Sequence, residues 1–163
     1  MKTLSASAAA ALARRRVLSV SPILEDHRAL ETIFHRPASV APEGIRPHLI
    51  RVGSLVSARA ALTRAEYAAV VCERDLRPGG WKDLLKSTQG QPNPPLLIVT
   101  SLLADEHLWA EALNLGAYDV LAKPFDRVEV VRVVNLACLR WHRSRRHGES
   151  SITVGAGAAA SMM

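Results

Sequence analysis

The stretch Tyr67-Ala68-Ala69-Val70-Val71-Cys72, closed by the charged pair Glu73-Arg74, decides the fold. Six apolar positions in succession leave no polar face, so the segment reads as a strand covered on both sides. Such a strand belongs in a parallel sheet with helices on each face. Towards the C-terminus, Trp81–Ser87 reads as a short helix, Gln89–Pro95 as a Gly/Pro loop, and Leu96–Val99 as a second buried strand ending at Thr100-Ser101. Ala104–Leu115 then reads as a helix stopped by Gly116, and Tyr118–Ala122 as a strand closed by Lys123-Pro124. Val130, Val133, Val134, Ala137, Cys138 and Trp141 fall on one stripe of a final helix. Towards the N-terminus, Ser54–Arg64 reads as a helix and His48–Val52 as a strand. A loop holding Pro37, Pro42, Gly44 and Pro47 separates these from a helix over residues 22–35 and a short strand, Val17–Val20, ending at Ser21-Pro22.

Strands and helices thus alternate five times without a hairpin signal, which predicts an α/β parallel sheet sandwiched by helices. In sheets of this kind functional groups gather at the carboxyl ends of the strands. Those ends are Ser21-Pro22, Gly53-Ser54, Glu73-Arg74, Thr100-Ser101 and Lys123-Pro124.

Composition narrows the function. The 163 residues are 48% hydrophobic and 22% charged, enough to bury the core of one domain. No apolar run approaches the roughly 18–20 residues of a membrane span. Two cysteines, Cys72 and Cys138, exclude a disulfide framework and a four-cysteine zinc site, and a reducing, cytoplasmic compartment is expected. The formal charge of +6 does not belong to the central region: residues 17–142 carry fourteen basic and fourteen acidic side chains, the remainder seven and one. A nucleic-acid-binding domain carries its basic footprint on a folded face, so nucleic acid is not the expected partner. Residues 1–15 read as a disordered tail, not a signal peptide, because the arginines follow the apolar stretch. Residues 143–163, basic and then rich in Ser, Gly and Ala, read as a second disordered tail, leaving 16–142 as the domain. His27, His35, His48, His107, His142 and His147 show no paired ligand spacing, and no Gly-rich phosphate loop or nucleophile elbow is present.

Three segments, in order and spacing, resemble the receiver domain of two-component response regulators. Leu115-Gly116-Ala117-Tyr118-Asp119-Val120-Leu121-Ala122-Lys123-Pro124-Phe125 matches the family's Gly-Ala to Lys-Pro-Phe segment. The strand ending in Thr100 matches its fourth strand and hydroxyl, and residues 70–85, VVCERDLRPGGWKDLL, its third strand, active-site loop and third helix. The resemblance implies a flavodoxin-like, CheY-like fold of five βα units with strand order 2-1-3-4-5, and a cis Lys123-Pro124 peptide.

It also implies where chemistry would sit, and there the chain departs from the family. An acid pair that holds Mg²⁺ falls on Ser21 and Pro22, and the phosphoacceptor aspartate falls on Glu73. Proline offers magnesium no side-chain ligand, serine is a poor one, and the added methylene of glutamate displaces the carboxylate by about one C–C bond, roughly 1.5 Å. Thr100, Lys123 and Pro124 are of the family's type, whereas the aromatic switch position is Val120. Glu25 and Asp26 are expected to lie too far along the first helix to replace the missing pair. The expectation is a degenerate, or pseudo-, receiver: no cofactor, Mg²⁺ binding lost, no catalysis, and Glu73 paired with Lys123 either as a constitutive mimic of the phosphorylated state or as a vestige.

The functional expectation is a stand-alone domain, with no output domain after it, that signals by binding a protein such as a histidine kinase. Trp109 and Leu113 on the fourth helix are expected to contribute to an interface, including a homodimer through the fourth helix, fifth strand and fifth helix. Arg140, Arg143, Arg145 and Arg146 make a basic helix end. The alternatives are a receiver still phosphorylated with Mg²⁺-dependent autophosphatase activity, and a regulator that binds nucleic acid through its tails.

Overall fold

The computed structural model describes residues 16–36 and 46–156, with side chains as far as residue 148. The tail 1–15, the Pro/Gly loop over 37–45 and residues 157–163 lie outside the described residues. Five strands, β1 (Arg16–Val20), β2 (His48–Val52), β3 (Ala69–Glu73), β4 (Leu96–Ser101) and β5 (Asp119–Ala122), alternate with five helices. The helices are α1 (Leu24–His35), α2 (Leu55–Arg64), α3 (Trp81–Gln89), α4 (Glu106–Leu115) and α5 (Arg127–Ala156). The sheet is parallel throughout, in the order β2-β1-β3-β4-β5.

Strand parity divides the core. Leu18, Val20, Val70, Cys72, Leu97, Val99 and Val120 pack in one buried cluster with side chains of α2, α3 and α4. Their sequence neighbours Val17, Ala69, Val71, Ile98 and Leu121 pack in a second with Leu30 of α1 and the α5 stripe of Val130, Val133, Val134, Ala137, Cys138 and Trp141. Period-two alternation therefore sends each strand's side chains to opposite layers. That is why the strands read as continuous apolar runs.

Local signals set the helix ends. Ser54 accepts the Ser57 N–H and caps α2, and Asp105 accepts the Leu108 N–H and caps α4. Gly116 closes α4 at φ 107°, a left-handed conformation a side chain would strain. Leu108 and Ala112 are buried in the core, Trp109 is half-buried against it, and Leu113 is exposed. Val120, at the position of the family's aromatic switch, is fully buried.

The last helix runs past the expected domain end at residue 142. It continues to Ala156, a run of 30 residues, about 45 Å at 1.5 Å per residue. Tertiary contacts hold its middle: Trp141 Nε1 donates to the Asn93 carbonyl at 3.4 Å, and Arg145 reaches Glu66 at 2.7 Å. Arg145 also lies over the Trp141 ring. The basic residues that suggested a solvated tail are used here as helix surface.

Candidate functional site

Parity also builds the site. Ser21, Glu73, Thr100 and Lys123 continue the alternation of Ser19, Val71, Ile98 and Leu121, so they gather on the α1/α5 side at the carboxyl end of the sheet. Glu73 and Thr100 are register partners on adjacent strands. All four side chains are buried, and the Lys123-Pro124 peptide is cis. Thr100 also fixes the loop after β3, its carbonyl accepting the Arg74 N–H at 2.9 Å.

Sequence reasoning missed a fifth member. Asp26, set aside as lying too far along α1, is buried in the site: its Oδ2 accepts from Lys123 Nζ at 2.9 Å and from Ser21 Oγ at 2.7 Å. The reason is helical geometry. The two residues between Ser21 and Leu24 start α1 so close to the strand end that its first turn faces the site. Asp26 and Leu30, four apart, then share the inward face. An acid four residues before a core leucine, in the opening turn, was the readable signal. Ser21, a poor metal ligand, positions this carboxylate instead, and its hydroxyl also accepts the Ile23 N–H at 3.1 Å.

Lys123 makes a second ion pair, with Glu73 Oε2. One ammonium thus serves two carboxylates in a site almost closed to solvent. Burial works against the charged lysine, but the hydrogen bonds and charges of Glu73 and Asp26 outweigh it and hold Lys123 above the ordinary lysine value. The first turn of α1 adds a favourable dipole for Asp26. With both acids ionised, the three side chains sum to one negative charge.

His27 is buried behind the site. Its Nε2 lies 2.9 Å from the Ser21 carbonyl, which can only accept, so Nε2 carries a proton; Nδ1, 2.7 Å from Ser19 Oγ, accepts in the neutral ring. The imidazole ties α1 to β1 and fixes the height at which Asp26 enters. A cleft of about 430 Å³ opens nearby between the starts of α3 and α4, lined by Arg74, Asp75, Trp81, Lys82, His107 and Glu111 among others. Asp26, Glu73 and Lys123 do not line it. Among the described residues no group of three or more His, Cys, Asp or Glu side chains is placed to hold a metal.

No protein-family model matches the chain, and no curated protein does. Solved structures do. A signal receiver domain of an HD domain-containing protein from Pseudomonas fluorescens is 22% identical with a TM-score of 0.68, covering 90% of this chain and 97% of that one. A Francisella response regulator receiver domain is 21% identical with a TM-score of 0.65, covering 77% and 98%. The receiver domain of a sensor histidine kinase from Pseudomonas aeruginosa, 20% identical with a TM-score of 0.61 and covering 78% and 97%, has a magnesium ion coordinated in its active-site cleft. The chain has the CheY-like receiver fold.

A magnesium site in that fold can be tested against the residues present. Pro22 supplies no donor, the Ser21 hydroxyl is turned to Asp26, and both buried carboxylates are bonded to the same ammonium. With that ammonium in place these residues do not fit a divalent ion.

Proposed function

We propose that this chain is a phosphorylation-independent signalling module of the receiver type that acts by binding another protein. The observation that carries the reading is Lys123 shared between Asp26 and Glu73. Phosphoryl transfer at a carboxylate rests on positioning and on metal neutralising the developing charge. Here the carboxylate at the acceptor position is a glutamate already paired with a lysine, and Mg²⁺ binding is lost. Glu73 and Lys123 imitate the charged state permanently, though one carboxylate carries about −1 charge where a phosphoryl group carries −1.5 to −2.

The surface around the site supports a protein partner. Leu102 and Leu103 after β4 and Val128 at the start of α5 are 77%, 63% and 75% exposed, and Ile23 and Leu24 after β1 are also exposed. These apolar side chains lie in the segments that leave the carboxyl ends of β1, β4 and β5, and exposed apolar surface there suits a protein partner. The partner is a histidine kinase or another signalling protein. The outer face of α4, β5 and α5, with Leu113 exposed and Trp109 at its edge, is the surface for a homodimer. The domain is cytoplasmic and non-enzymatic; no described helix is long and apolar enough to cross a membrane.

The test is direct. Incubation with Mg²⁺ and a small phosphodonor should leave the intact mass unchanged. A gain of one phosphoryl group that is labile to base overturns the reading.

A further inference from the structure

We propose that Lys123 is the resident cation of this site, and that its ammonium, held between Asp26 and Glu73, is what excludes a divalent ion; this rests on the reading of the site as one that takes no phosphoryl group. Donor number is not the obstacle. Magnesium is commonly held by one or two protein carboxylates and keeps several waters, and two buried carboxylates converge here on one nitrogen. The obstacle is charge. Two carboxylates and one ammonium sum to −1, so an added divalent ion would leave +1 in a buried site, with the ammonium touching the same ligands. Without the ammonium the sum is −2, which a divalent ion neutralises. Buried charges persist only when paired, so the first state is disfavoured and the second favoured.

Asp26 has support besides the lysine, and Glu73 is anchored through its backbone. Asp26 is oriented by the Ser21 hydroxyl and by its place in the first turn of α1, and Glu73 belongs to β3, hydrogen-bonded on both sides in the sheet. Substituting Lys123→Met therefore keeps Asp26 oriented and the Glu73 backbone at the same end of the sheet. The methionine side chain ends one atom short of the ammonium position.

The experiment compares the full chain with K123M and with K123M/D26N, each stripped with EDTA, exchanged into buffer and titrated with Mn²⁺ by calorimetry. Circular dichroism checks that each is folded. The wild type should show no saturable binding, K123M should bind at least about tenfold tighter than wild type, and D26N should remove the gain. If K123M does not fold, Lys123→Gln, which is neutral and retains polar reach, replaces it with the same expectation. Mn²⁺ binding by the wild type equal to that of K123M, or no gain in the folded neutral variant, overturns the proposal. A gain that survives D26N overturns the assignment of Asp26. A wild type that gains a phosphoryl group overturns the proposed function, whereas one that takes neither phosphoryl nor Mn²⁺ while the neutral variant stays silent overturns the lysine alone.

Discussion

Asp26 and Lys123, 97 residues apart in the chain, meet at 2.9 Å in a buried pair that joins α1 to the loop after β5. Their neighbour Glu73 brings β3 into the same contact. Three elements are therefore held together by one ammonium, and the consequences can be measured.

Removing one acid from the shared pair should cost stability that its sequence neighbour does not. Asp26→Asn keeps an acceptor for Ser21 but weakens the bond to Lys123, and should lower the unfolding free energy by about 1–3 kcal/mol. Glu25→Gln, at an exposed position of the same turn, should stay within about 0.5 kcal/mol of wild type. Urea unfolding followed by tryptophan fluorescence separates the two.

Lys123 also predicts an alkaline limit. Its folded value lies above the ordinary 10.5, so the folded state holds its proton more tightly than the unfolded chain. The stabilisation is fully present below pH 10.5 and is lost as pH rises through the folded value. Tyr67, raised by burial against a smaller opposing effect of Arg16, weakens the fold in the same direction. The difference between wild type and K123M isolates the lysine: it should be constant through neutral pH and shrink in strong alkali.

Neither thiol should react in the native protein. Burial pushes Cys138 up to about 12, and burial together with the Glu73 charge raises Cys72 further. Both are therefore thiols, not thiolates, at neutral pH, and both are enclosed. A disulfide reagent at pH 8 should label no cysteine until denaturant is added, and then two. Fast labelling of the native protein would contradict the packing around β3 and α5.

The long last helix separates packing from surface charge. Trp141 is almost wholly buried, so Trp141→Ala should cost about 3–5 kcal/mol. Arg145 makes a partly exposed ion pair with Glu66, so Arg145→Ala should cost no more than about 1 kcal/mol. Chemical denaturation of both variants tests whether α5 is anchored by its indole or by its charges.

The alternation of apolar runs with helical stripes was enough to specify five βα units. Gly116 announced the end of α4 in advance, whereas Ser54 and Asp105 show themselves as caps only in the structure, though each acts over three residues. The strand ends were equally legible, and with them the carboxyl end of the sheet as the place of Ser21, Glu73, Thr100 and Lys123. These are local properties, set by a period of two or 3.6 residues and by backbone groups that must be satisfied nearby.

Three things were decided only in three dimensions. Asp26 joined the site because α1 sits at one rotation and one height above β1, set by His27, Ser21 and the core contact of Leu30. Trp109 took a half-buried place against the core, which spacing along α4 does not set. The basic segment after residue 142 stayed helical because Trp141 and Arg145 found partners on the loops before β3 and β4. Each depends on which side chains meet across long separations, a matter of packing that no local period encodes. The chain alone dictated its elements and the end of the sheet where polar groups collect; folding decided which acid would stand opposite the lysine.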